Sequence, residues 1–134
     1  MNQSILANTK KSLQLDPSYT AYDEQIILLI NSAFSTLNQM GIGPVNGFAI
    51  EDDTAVWSSF FGTNLKFSSV KTFVYLSVRL IFDNASMTSF VMDAMRKERD
   101  EIGWRLNVVR EETEWIDPDP EPILPGNILY GGDA

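Results

Sequence analysis

Apolar and polar positions follow a helical period through several stretches of this chain, then lose it after residue 110. The strongest stretch is Ser69 to Asp83. Val70, Phe73, Val74, Ser77, Val78 and Ile81 fall at the i, i+3, i+4, i+7, i+8, i+11 positions of one helical face. Tyr75, Leu76, Leu80 and Phe82 widen that face, leaving only Lys71, Thr72 and Arg79 for solvent. A helix apolar around most of its circumference is buried on most sides. At about fifteen residues, with two cations, it is too short and too charged to span a bilayer. The pattern predicts the central helix of the domain, with Val70, Phe73, Val74, Leu76, Val78, Leu80 and Ile81 in the core.

The flanking stretches predict further helices. Ser4 to Leu13 places Ile5, Leu6, Thr9 and Leu13 on one face, with Lys10 and Lys11 near the C-terminal end, where the helix dipole favours them. Asp16-Pro17 stops it, because a residue before proline is pushed out of the α region. Tyr19 and Tyr22 fall in the connection, as partial core packing. Asp23 is expected to cap a second helix running to about Met40, with Ile26, Ile27, Ile30, Ala33, Phe34, Leu37 and Met40 at helical spacing. Gly41 supplies its left-handed end and Pro44 prevents continuation. Phe48-Ala49-Ile50 reads as a short extended piece. A short helix ends near Phe61-Gly62, with Trp57, Phe60 and Phe61 over one end of the core. A long helix, capped by Ser86 or Thr88, runs to about Val109 on Phe90, Val91, Ala94, Met95, Ile102, Leu106 and Val109. Asp93–Lys97 and Glu101–Arg105 are i, i+4 pairs in the favourable orientation. The fold class is all-α: a small bundle of about four to five helices around a central buried helix, with an extended C-terminal tail.

Composition narrows the chemistry. The chain has 134 residues, no cysteine and no histidine. Disulfides, thiolate metal sites and Ser-His pairs are thereby excluded, and the commonest general base is missing. Two motifs invite chemistry and fail on spacing. Gly41-Ile42-Gly43-Pro44-Val45-Asn46-Gly47 follows a helix rather than a strand, so it lacks the context of a dinucleotide loop. Glu51-Asp52-Asp53 does not match the alternation of a calcium loop. It reads as the N-cap and first turn of the short helix before Phe61. No catalytic, cofactor-binding or metal-binding residue is assigned, no cofactor is expected, and the chain reads as a non-enzyme. Arg96, Lys97, Arg99 and Arg105 are interleaved with Glu98, Asp100 and Glu101, which describes a solvated helix face rather than a nucleic-acid patch.

Charge divides the chain in two. Residues 1–110 carry 11 acids and 10 bases, whereas residues 111–134 carry seven acids and no base, and together they give the net charge of −8. That balance opposes phosphate-driven nucleic-acid affinity and an anionic membrane partner. The N-terminus lacks the basic and apolar regions of a signal peptide, so synthesis in a cytoplasm is expected. The organisation expected is a helical domain over 1–110 and an acidic, Pro/Gly-rich extended arm over 111–134. Asp117-Pro118-Asp119-Pro120-Glu121-Pro122 cannot be a helix interior. Trp115, Ile116, Ile123, Leu124, Ile128, Leu129 and Tyr130 lie among these breakers, and a purely solvating acidic tail would lack them. They are the expected partner-binding residues of an arm that orders on a partner.

Three stretches carry a resemblance. Leu37-Asn38-Gln39-Met40-Gly41-Ile42-Gly43-Pro44 is similar to a helix-ending L-N-Q-h-G-h-G-P pattern. Val70 to Asp83 resembles a V-K-T-aromatic-h-Y-L-x-V-R-L-h-F-D helix, and Glu101-Ile102-Gly103-Trp104-Arg105-Leu106-Asn107 resembles a final helix. Their order and spacing, over about residues 4–109, resemble the head–tail connector (adaptor) proteins of tailed bacteriophages. Two features depart from that family: Asn84-Ala85 stand where prolines often follow the F-D, and the long acidic tail is not uniform. The resemblance implies a virion neck protein made in the host cytoplasm. It implies a ring, typically of twelve copies, beneath the portal protein. Neighbouring copies and a downstream head-completion or tail protein would be its other partners, and DNA would pass through the lumen without specific binding. No membrane is involved. The competing reading is a small helical regulatory binding protein whose acidic tail engages a basic partner. A carboxylate-dependent hydrolase using Glu51, Asp52 or Asp53 is a third.

Overall fold

The computed structural model describes residues 4–44, 46–62 and 68–112. Five α-helices make up its regular structure: α1 (Ile5–Ser12), α2 (Asp23–Gln39), α3 (Ser58–Phe61), α4 (Val70–Phe82) and α5 (Ser89–Glu112), with a 3-10 turn at Asn84–Ser86. The described residues contain no strand; Ser4 and Val56 form a lone antiparallel bridge. The fold is thus all-α, as the periodicity predicts. Helix α4 is the centre: it packs chiefly on α2 and α5, and also touches α1.

Burial of α4 follows its sequence closely. Val70, Phe73, Val74, Leu76, Val78 and Leu80 are buried. Ile81 corrects the expected core list, because it is 57% exposed. It lines the open groove between α2, α4 and α5 together with Arg99, Asp100 and Trp104, so it borders solvent instead of the closed core. Around α4, Ile5, Ile26, Ile30, Phe34, Leu37 and Leu106 complete one core. At one end Phe34, Phe48, Trp57 and Phe60 form an aromatic cluster, with ring centroids 4.9–6.2 Å apart. Such pairs add to area burial through their edge-to-face electrostatics.

The end of α2 explains the Leu-Asn-Gln-Met-Gly-Ile motif in physical terms. The Ile42 amide donates to the Leu37 carbonyl (2.9 Å) and the Gly41 amide to the Asn38 carbonyl (2.9 Å). This is the paired closure of a Schellman turn, which needs a left-handed residue at its centre. Gly41 supplies it at φ +83°. Leu37 and Ile42, the two residues the turn brings together, are both buried. Asn38 then donates through Nδ2 to the Pro44 carbonyl (2.9 Å).

Beyond the turn, residues 46–57 run back over α2 and α1 without a strand. The Asn31 amide brackets Ile50, donating to its carbonyl (3.0 Å) and accepting from its N–H (2.8 Å). Trp57 Nε1 donates to Asn8 Oδ1 (3.0 Å), and the Ile5 amide to the Ala55 carbonyl (2.9 Å). These contacts satisfy backbone and indole groups that sit against the core.

Three sequence expectations are corrected on the polar side. Asp23 does not cap α2; Tyr22 occupies that position, and Asp23 Oδ1 instead lies 2.7 Å from Lys10 Nζ. Lys10 is itself buried at 2% exposure and donates to the Pro17 carbonyl (2.8 Å), so it pins α1 to the connection and to the start of α2. Glu51-Asp52-Asp53 does not open a helix, since α3 starts at Ser58. Asp52 closes a local turn instead, accepting from Thr54 Oγ1 (2.6 Å) and Thr54 N (2.9 Å). The hydroxyl first, and the amide after it, hold the Asp52 carboxyl below its ordinary value. Asp16 makes the same turn with Ser18, its pKa lowered first by the Ser18 amide and then by the Ser18 hydroxyl. Finally, Asp93 pairs with Arg96 (3.2 Å), three residues on, rather than with Lys97, whereas Glu101–Arg105 forms as expected.

Candidate assembly surface

Helix α5 builds the surface. Thr88 caps it, its Oγ1 accepting from the Val91 amide (3.2 Å). It runs 24 residues against 13 for α4, about 36 Å against about 20 Å. Its C-terminal half is seated. Gly103 is buried, and a Cβ there would stand 3.2 Å from Phe73 and 3.5 Å from Met40, so the absent side chain allows α5 to approach α4 and the end of α2. Leu106 is buried, and the aliphatic part of Arg110 lies against Gly41.

The N-terminal half is different. From Ser89 to Glu98 no residue is buried. Phe90 is 82% exposed and Val91 39%; Ala94 is exposed as well. The apolar spacing of this half of the helix is therefore left without full cover among the described residues. These ten residues, roughly 15 Å of helix, form an overhang in the sense that none is buried, with Met92 and Met95 half-buried, whereas Arg99 and Asp100 after them share a groove with Ile81 near the end of α4.

Between α2, α4 and α5 lies a groove of about 590 Å³. Leu29, Ala33, Met40, Phe73, Ile81 and Trp104 form its apolar surface, with Ser32, Thr36, Ser77, Asn107 and the Arg99–Asp100 pair as its polar part. Trp104 is 67% exposed and Ile81 57%. Isolated apolar residues on a surface are ordinary, whereas a cluster bordering a concave groove marks an interaction site.

The groove has little to offer chemistry. The Arg99 guanidinium is engaged by Asp100 (3.2 Å), and the Ser77 hydroxyl donates to the Phe73 carbonyl (2.8 Å). Neither arrangement pairs a nucleophile with a base. Among the described residues no group of three or more Asp or Glu side chains could hold a metal ion, and no helix is long and apolar enough to cross a membrane. The expected partner-binding residues Trp115, Ile116, Ile123, Leu124, Ile128, Leu129 and Tyr130 lie outside the described residues. Sequence reading missed the groove and the overhang because both depend on how far α5 outlasts α4. The unequal helix lengths were the available signal.

Residues 5–113 match the family described as phage connector protein. The chain belongs to the phage connector protein family. The match begins at the first residue of α1 and ends one residue beyond α5, so every helix of the bundle falls within it. The family is a structural one rather than an enzymatic one. No curated protein and no solved structure matches the chain.

Proposed function

We propose that this connector family member is a head–tail adaptor of a tailed bacteriophage, located in the virion neck. Copies stand side by side in a ring, typically of twelve, under the portal protein. The ring joins the portal to a downstream head-completion or tail protein, and the genome passes through its lumen without specific binding. It has no catalytic role. The observation that carries this reading is the family match over the whole helical bundle. The physical chemistry is consistent with it. The bundle presents overhanging apolar surface suited to neighbours, and the net charge of −8 disfavours adhesion of passing DNA.

The acidic C-terminal segment is the second part of the proposal. The arm was expected over 111–134; since helix α5 continues through Glu112, the proposal takes residues 113–134 as the arm. Its apolar residues and its acids suit a basic groove on the portal or on an adjacent subunit, with a salt-sensitive encounter. Repetition around a ring would convert weak single contacts into a durable joint through effective concentration.

The test is co-expression with the portal protein of the same phage, followed by native mass spectrometry and electron microscopy. A ring bound coaxially to the portal is the expected result. A monomer or dimer that ignores the portal and binds a basic partner would overturn the reading in favour of a regulatory binding protein. Deleting 113–134 is expected to leave the melting temperature nearly unchanged while weakening portal docking.

A further inference from the structure

Two apolar features of this chain have no cover among the described residues: the α5 overhang and the α2–α4–α5 groove. We propose that copies join head to tail, the overhang of one copy, through Phe90, Val91 and Ala94, seating in the groove of the next, against Ile81 and Trp104. The inference rests on the ring reading above and specifies its subunit contact.

Shape is the first argument. The overhang is a ridge with Phe90 at 82% exposure, and the groove is a concavity of about 590 Å³. Phe90 alone brings on the order of 150 Å² of apolar surface. With its neighbours it supplies the centre of a contact of the roughly 800 Å² per partner that a specific interface takes. The ridge and the groove occupy different parts of the surface. A ridge and a complementary groove at different places on one molecule make a heterologous contact, which repeats from copy to copy and forms a ring when the rotation closes.

Charge is the second argument, and it selects the occupant. On the ridge Asp93 is paired with Arg96, and in the groove Arg99 is paired with Asp100. Both surfaces are locally neutral, so bringing them together buries no unmatched charge. The chain's own C-terminal segment is a poorer occupant. Residues 113–134 hold five acids and no base, and the groove offers them no surplus cation. The ridge–groove contact is therefore insensitive to salt, unlike an encounter driven by the acidic arm.

The absence of cysteine makes disulfide trapping unambiguous. Full-length chains carrying Ala94→Cys together with Ser32→Cys, Thr36→Cys or Ser77→Cys are oxidised at high concentration, in low and high salt. A ladder of multimers is expected from at least one double variant at both salts, and only a heterodimer from a mixture of the two single variants. Phe90→Asp and Ile81→Glu, both at exposed sites, should each reduce the ladder more than tenfold without moving the melting temperature. Closed dimers from Ala94→Cys alone would mean a two-fold contact and overturn the proposal. So would intramolecular capture of Ser32→Cys by Ile123→Cys, which would place the chain's own arm in the groove. Rings by electron microscopy without any Ala94-to-groove bond would sink this contact and leave the ring reading standing. Absence of both rings and bonds would remove both.

Discussion

Helix α4 and the first half of α5 are both rich in apolar residues at helical spacing, yet they do opposite things. In α4 the apolar positions cover most of the circumference, and six of them are buried. In α5 between Ser89 and Glu98 the apolar positions are Phe90, Val91, Met92, Ala94 and Met95, and none is buried. The difference is in the neighbours. Helix α4 packs on both α2 and α5, whereas the first ten residues of α5 hold no buried residue. Apolar periodicity therefore reports that a face is to be covered, and the arrangement of helices decides whether the cover is the chain's own core or another surface.

That contrast is most directly broken by truncating the core. Phe73 is 5% exposed and packs where Gly103 admits α5. Phe73→Ala is expected to cost about 3–5 kcal/mol, read from chemical denaturation. Leu80 is buried but stands outside the main core cluster, so Leu80→Ala should fall near the lower end of the range for such changes, roughly 2 kcal/mol. Losses below about 0.5 kcal/mol at both sites would show that α4 is not the centre of the fold.

Next in size is the buried lysine. Lys10→Ala removes the partner of Asp23 and the donor to the Pro17 carbonyl. Breaking a fully buried pair costs about 3–5 kcal/mol; Asp23 keeps 26% of its side chain in water, so about 2–3 kcal/mol is expected. Lys10→Met, which keeps the apolar stem, should lose less, and Lys10→Met combined with Asp23→Ala less again. If the single Lys10→Met variant matched the wild-type chain, the pin between α1 and α2 would be incidental.

Much of this architecture was legible in the sequence, and the exceptions have physical causes. Periodicity placed α1, α2, α4 and α5 within a few residues of their observed ends, because each carries several apolar positions on one face. Gly41 and Pro44 marked the end of α2 because only the glycine suits the left-handed turn. The acids at 51–53 misled because the same carboxylate that caps a helix can also close a turn on the second residue along, and Thr54 offers it both an amide and a hydroxyl. Lys10 was read as a dipole partner because its burial depends on Pro17 and Asp23 folding over it. Ile81 was read as core, and Phe90 simply as part of an apolar helix face, because pattern alone does not say where a neighbouring helix stops.

A smaller effect tests the local turns, which hold little stability and lie away from both regions compared above. The Asp16 and Asp52 carboxyls are held below the ordinary value of 3.8 by Ser18 and Thr54. A group whose pKa is lowered on folding contributes stability that is present above its unfolded pKa and is lost as pH falls through the folded one. Both carboxyl resonances should therefore titrate below 3.8 in NMR, and Thr54→Ala should return Asp52 toward that value with only a slight change in melting temperature. Titration at or above 3.8 would show that the turns are not formed in solution.

The smallest expected effect closes the comparison from the other side. Phe90→Ser deletes a large apolar side chain, which in α4 would be a severe change. At 82% exposure Phe90 gives up little burial in the isolated chain, so the stability should move by no more than about 0.5 kcal/mol. Helix propensity does not alter that expectation, since Phe and Ser rank close together in a helix interior. The Thr88 cap that starts α5 is two residues away and makes its bond to Val91, so it is retained. The measurement is denaturation of the isolated chain at low concentration, where contacts between copies are dilute. A loss of 2 kcal/mol or more would mean that Phe90 is packed in solution against its own chain. The two halves of α5 would then both be seated on their own chain. An unchanged stability, alongside loss of assembly in the same variant, would confine the role of Phe90 to contacts between molecules.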